Sequence, residues 1–131
     1  MKQVAAVPHT SFSIQERQMA ESFVEKLLEK FGEQILAVIL FGSRARGDAA
    51  DESDMDLLII MSEVDNETKR EIRFLATEIW LEHGIFLSSS IVSKAHWRQM
   101  QEIGTGLYCN INDDGIVLFQ RFRLNELNVT G

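Results

Sequence analysis

The chain has 131 residues, 45% of them apolar and 25% charged, with 20 acidic against 13 basic side chains and a formal charge of −7. These values describe one compact globular domain, and they exclude the broad Lys and Arg footprint by which a protein holds long nucleic acid through counterion release. No run approaches the roughly 20 consecutive apolar residues of a membrane span, the N-terminus lacks the apolar run of a signal peptide, and a lone cysteine, Cys109, forms neither an internal disulfide nor a thiolate metal site, so the cytoplasm is the expected compartment.

From Ser13 to Phe31 the apolar positions Met19, Phe23, Leu27 and Phe31 recur at helical spacing, widened by Ile14 and Leu28. Ser13 with Glu16 fits a capping box, and Gly32 is placed to end the helix. Glu16, Arg17, Glu25 and Lys26 are expected on its solvated side. Ile35 to Phe41 (ILAVILF) and Asp56 to Met61 (DLLIIM) are apolar on consecutive positions, as in strands covered on both faces. Asn66 to His83 predicts a second helix with Ile72, Leu75, Ile79 and Trp80 as its buried stripe and Gly84 as its C-cap. Ile85 to Val92 predicts a third strand, Ser93 caps a short helix over KAHWRQM, and a helical turn is expected near Leu107 to Ile111. Asp113, Asp114 and Gly115 then turn the chain into a last strand, IVLF. The order predicts a small α/β (α+β) fold, a mixed central sheet flanked by helices. The whole chain, 1–131, is expected to be a single domain with its core over about 13–120 and loosely held ends. Cys109 is expected to be a small buried residue.

The stretch LFGSRARGDAADESDMDLLII carries the chemistry. Asp48, Asp51, Glu52, Asp54 and Asp56 crowd the end of this stretch and repel one another unless something cationic is present. Alternation along a strand sends Asp54 and Asp56 to one side, and Mg²⁺ takes such carboxylates together with phosphate oxygens. Gly42 lets backbone amides approach a ligand, and Ser43 adds a hydroxyl donor. Arg44 and Arg46 place two guanidinium groups nearby, to contact phosphate or to pair with the acidic residues.

Taken together, Gly42 and Ser43, ten residues from Arg44 to Ser53, and then Asp54 and Asp56 resemble the signature of the minimal nucleotidyltransferases of the DNA polymerase β superfamily. The Asn110 to Ile116 segment is similar to the tail of the same small proteins. The resemblance implies a polymerase β-like fold and transfer of a nucleoside monophosphate, commonly AMP from ATP, to an acceptor hydroxyl. It implies that Asp54 and Asp56 hold one or two Mg²⁺ ions as the catalytic and metal pair, while Gly42 and Ser43 grip the nucleotide phosphates with Arg44 and Arg46 as helpers. In this family it also suggests a partner, a HEPN-domain ribonuclease toxin, with the present chain as antitoxin. A homo-oligomer is left open.

Members of the superfamily often carry a third carboxylate on the next central strand, and GIFLSSSIVS contains none, with Phe86 and Ser88 to Ser90 at the corresponding positions. Three readings stand: the strand alignment differs, Glu82 or a partner's carboxylate substitutes, or the protein binds nucleotide and transfers slowly or not at all. The last makes it a binding module that neutralises its partner by contact. His83, at a helix C-terminus, and His96, beside Trp97, are expected to be structural, and Trp80 is expected in the core.

Overall fold

The computed structural model describes residues 14–42 and 55–121. Helix α1 (Ile14–Phe31) leads through a 3₁₀ turn at Gly32–Gln34 into strand β1 (Ile35–Phe41). Then follow β2 (Met55–Met61), α2 (Asn66–His83), β3 (Leu87–Ser93), α3 (Lys94–Ile103), α4 (Gly106–Asp114) and β4 (Ile116–Gln120). The strands form one mixed sheet in the order β3-β2-β1-β4. β1 is antiparallel to both β2 and β4, and β2 is parallel to β3. The parallel pair needs a crossover, and α2 supplies it.

The consecutive apolar runs are explained by helices on both faces. On one face α1 and α2 pack Phe23, Leu27, Ile72 and Ile79 against Val38, Leu40, Leu57 and Ile59. On the other, Trp97, Met100 and Ile111 of α3 and α4 cover Leu36, Ile39, Leu58, Ile60 and Val92. Each of these buried aliphatic side chains contributes about 1.5–3 kcal/mol of apolar burial. The caps follow the sequence: Asp65 accepts from the Thr68 N–H, Ser93 from the His96 N–H and Thr105 from the Tyr108 N–H. Gly84 and Gly104 end α2 and α3. Ser13, the expected cap of α1, lies outside the described residues.

Several positions differ from expectation. Glu16 is buried, 8% exposed, because it stands three residues ahead of Met19 and so extends the same buried stripe. Ile14, five residues from Met19, is rotated off that stripe and is 74% exposed. On α2 the stripe is Ile72, Ala76 and Ile79. Trp80 is turned one residue beyond it, 43% exposed, and meets the edge of Phe86 with ring centroids 5.6 Å apart. Cys109 is exposed on α4, whose one buried side chain is Ile111. Asp113 and Asp114 belong to that helix rather than to a turn. Gly115 follows, and a β-carbon there would collide with the Ile111 carbonyl oxygen and approach Ile39.

Candidate active site

Because β1 runs against β2 and β2 runs with β3, the exit of β1 and the entrances of β2 and β3 lie at one end of the sheet. Phe41 is registered on Asp56, and Asp56 on Ser88. Alternation puts Asp56 on the face of Leu58 and Ile60, the face that α3 and α4 cover, while Met55 is buried on the other. Asp56 is half-buried, whereas the remaining residues of β2 are buried. The charge therefore occupies the position at which the strand leaves the core.

Gly42 follows β1 directly and has a left-handed φ of 82°. A β-carbon at this position would stand 2.5 Å from Asp56 Oδ2. Both constraints point to glycine: the backbone geometry disfavours an L side chain, and the carboxylate already fills the space. The Gly-Ser end of one strand and the Asp-x-Asp start of the next are thus brought together through Gly42 and Asp56. Ser43, Arg44, Arg46 and Asp54 lie outside the described residues. Among the described residues no three His, Cys, Asp or Glu side chains are grouped to hold a metal. Asp56 does carry a carboxylate, the donor type that Mg²⁺ takes, with Oδ2 in the space that a side chain at residue 42 would need.

The serines of β3 separate by register. Ser88 stands beside Asp56 and Ser90 beside Leu58, both on the site's face, whereas Ser89 stands beside Leu57 on the opposite one. The alignment is pinned by the Met55 N–H, which donates to the Phe86 carbonyl at 3.0 Å. On β3 a hydroxyl, not a carboxylate, therefore stands at the position registered with Asp56. Glu82 is exposed on α2, in the layer over the sheet's other face. His83 belongs to the α1–α2 layer. Its carbonyl accepts from Gln15 Nε2 at 2.7 Å, and its ring Nε2 is buried with no hydrogen-bond partner among the described residues. The residue as a whole is half-buried there. His96 sits in the first turn of α3, beyond the exit of β3 and at the other end of the strand from Ser88. Neither His83 nor His96, the histidines among the described residues, is thereby placed on Asp56.

A sequence model of the family described as "Polymerase beta, Nucleotidyltransferase" matches residues 24–123, a span containing both strand ends and the loop between them. The chain belongs to the polymerase β nucleotidyltransferase family. A Methanocaldococcus jannaschii relative of this nucleotidyltransferase, named "Putative protein adenylyltransferase", is 32% identical over 104 residues, covering 79% of this chain and 98% of the relative. The fold recurs in a chain of a toxin-antitoxin crystal structure with AMP-PNP, with a TM-score of 0.55 at 21% identity over 82% of this chain and 79% of that one. It recurs again in a complex of a tri-AMPylated Shewanella oneidensis HEPN toxin with an MNT antitoxin, with a TM-score of 0.51 at 20% identity over 88% of this chain and 80% of that one. These two likenesses establish the fold, and the polymerase β-like architecture expected from the sequence is the one present.

Proposed function

We propose that this nucleotidyltransferase moves AMP from ATP to a hydroxyl on a partner protein, and that it acts as the antitoxin of a HEPN ribonuclease toxin. The observation that carries the reading is the contact between Gly42 and Asp56, which joins the two halves of the Gly-Ser, ten-residue, Asp-x-Asp signature. The protein acceptor is supported by the name of the M. jannaschii relative and by the AMPylated toxin in the neighbouring complex. The acceptor hydroxyl's oxygen forms a bond to the α-phosphorus and its proton passes to solvent, the bond from that phosphorus to the bridging oxygen breaks, and pyrophosphate leaves. Gly42 gives the triphosphate room to approach the main chain, Ser43 donates to its terminal phosphates, and Arg44 and Arg46 add charge beside them. Asp54 and Asp56 would hold Mg²⁺, which would offset the charge of the triphosphate and the leaving group.

The test is incubation of the purified protein and candidate toxin with ATP and Mg²⁺, followed by mass analysis of the toxin. An AMP adduct is expected, reduced at least about 100-fold by Asp56→Asn or Asp54→Asn, the scale on which losing one charge-stabilising group acts. Absence of any adduct with the wild-type protein overturns the reading.

The register of Ser88 favours a second reading. With a hydroxyl beside Asp56, the protein would bind nucleotide and mask the toxin by contact. Neutralisation that survives both Asp→Asn changes is the result this reading requires.

A further inference from the structure

β3 is the terminal strand of the sheet, and it borders the candidate site through Ser88. In a parallel strand, alternate residues turn their main-chain groups to the same side. The Phe86 carbonyl faces β2, where it accepts from Met55. Ser88, Ser90 and Val92 follow that direction, and Leu87, Ser89 and Ile91 turn their N–H and C=O groups to the outer edge. No strand among the described residues lies beyond them. Two concavities follow this edge. One of about 330 Å³ lies between Arg73 and Thr77 of α2 and the start of β3. The other, of about 180 Å³, lies between Lys69 and the end of β3. Lys69 and Arg73 are four residues apart and share one side of α2. Arg73 faces its concavity with no acidic residue in the lining, whereas Lys69 shares the other with Asp65, so the cationic part of this edge lies toward the start of β3, on a chain whose formal charge is −7.

We propose that an extended, acidic segment of the protein acceptor adds to β3 as a fifth strand, pairing with Leu87, Ser89 and Ile91 and setting its carboxylates against Lys69 and Arg73. The inference rests on the reading that the acceptor is a protein. Strand addition takes its affinity from main-chain hydrogen bonds and its selectivity from side-chain pockets beside the edge, and this edge has both. An added strand lies about 10 Å from β2, two strand spacings. Ser88 is the residue between, and its short side chain leaves the crossing to Asp56 clear for a hydroxyl carried by the segment or by the turn after it. A second copy of this chain fits the edge less well, because it would bring Lys69 and Arg73 of each copy together across the joint.

The probes are three fluorescent synthetic peptides: Glu-Val-Thr-Val-Glu-Tyr-Glu, the same sequence with Lys for every Glu, and the first sequence N-methylated at alternate residues. The first is expected to bind at least about tenfold more tightly than the other two, and to slow hydrogen exchange at the Leu87, Ser89 and Ile91 amides. Ser89→Pro removes only an outward N–H, which an edge strand tolerates, and Arg73→Glu reverses the charge toward the start of β3. Each should weaken peptide binding about tenfold or more, while the rise in melting temperature given by ATP and Mg²⁺ stays as in the wild-type protein. Equal binding of the three peptides, unchanged exchange at those amides, or no effect of either variant overturns the proposal. So does protection of the same amides that grows with protein concentration in the absence of peptide, which assigns the edge to a second copy. Pairing with no AMP adduct on the peptide's Thr or Tyr upholds the edge and tells against transfer, whereas an adduct without protected amides upholds transfer and overturns the edge.

Discussion

β2 and β3 are neighbouring parallel strands of seven residues each, registered without a break from Met55 on Leu87 to Met61 on Ser93. β2 is buried except at Asp56, whereas β3 is half-open at Ser88, Ser89, Ser90 and Ser93. Position in the sheet accounts for the contrast. A central strand is enclosed by neighbours on both edges and helices on both faces, so polar groups fit only where it leaves the core. An edge strand keeps one side open, and serines sit there at little cost. In this nucleotidyltransferase the enclosed strand carries the Asp56 carboxylate, and the open one borders the space that the proposal gives to the acceptor.

Substitutions at registered partners put the contrast under the greatest stress. Leu58→Ala, at a fully buried position, is expected to cost about 2–5 kcal/mol in denaturant unfolding. Ser90→Ala beside it should stay within about 0.5 kcal/mol. Equal losses would break the distinction between the two strands. At the strand end, Gly42→Ala should cost about 1–2 kcal/mol from its left-handed backbone. It should also shrink the melting shift given by ATP and Mg²⁺, because the new methyl displaces Asp56. Ser88→Asp sharpens the comparison by giving β3 the charge that β2 carries. Without Mg²⁺ it should lose about 0.2–1 kcal/mol to repulsion from Asp56, and Mg²⁺ should restore the loss in the same melt.

The smallest effect concerns α2, the crossover that sets β3 beside β2. The Thr68 backbone N–H donates to Asp65 at 2.8 Å, and with the Thr68 side chain it holds the Asp65 carboxyl below the ordinary carboxylate range. A carboxyl lowered in the folded state stabilises above its unfolded pKa, and that contribution is lost as pH falls through the folded value. The melting-temperature gap between wild type and Asp65→Ala is therefore expected to be widest at neutral pH and to close below about pH 4. A gap independent of pH would show that the cap acts without its charge.

The elements that the sequence made legible are those that local physics decides. ILAVILF and DLLIIM read as central strands because consecutive apolar residues satisfy two covered faces, and β1 has the bounds expected of it. Asn66 to His83 has the bounds expected of it, with Gly84 as the expected C-cap. Trp80 and Cys109 were harder, because hydrophobic character does not fix rotation about a helix axis once packing partners are unknown. Glu16 shows the converse, a charged residue drawn inward by the face it occupies. In the candidate site, Gly42 and Asp56 were recognisable by spacing. That Ser88 stands beside Asp56 was not, since register across β2 and β3 depends on where the crossover returns. The roles of Ser43, Arg44, Arg46 and Asp54 stay with the proposal.

Arg121, just after β4, ties the sheet to its beginning. Its N–H donates to the Leu36 carbonyl at 2.8 Å, its Nε to the Ile35 carbonyl at 3.1 Å and an Nη to the Gly32 carbonyl at 3.1 Å. During translation, β1 emerges early and waits for the partner on its second edge until β4 and this arginine have been made. Through that interval one apolar strand edge is exposed, the kind of surface that invites mispairing between nascent chains.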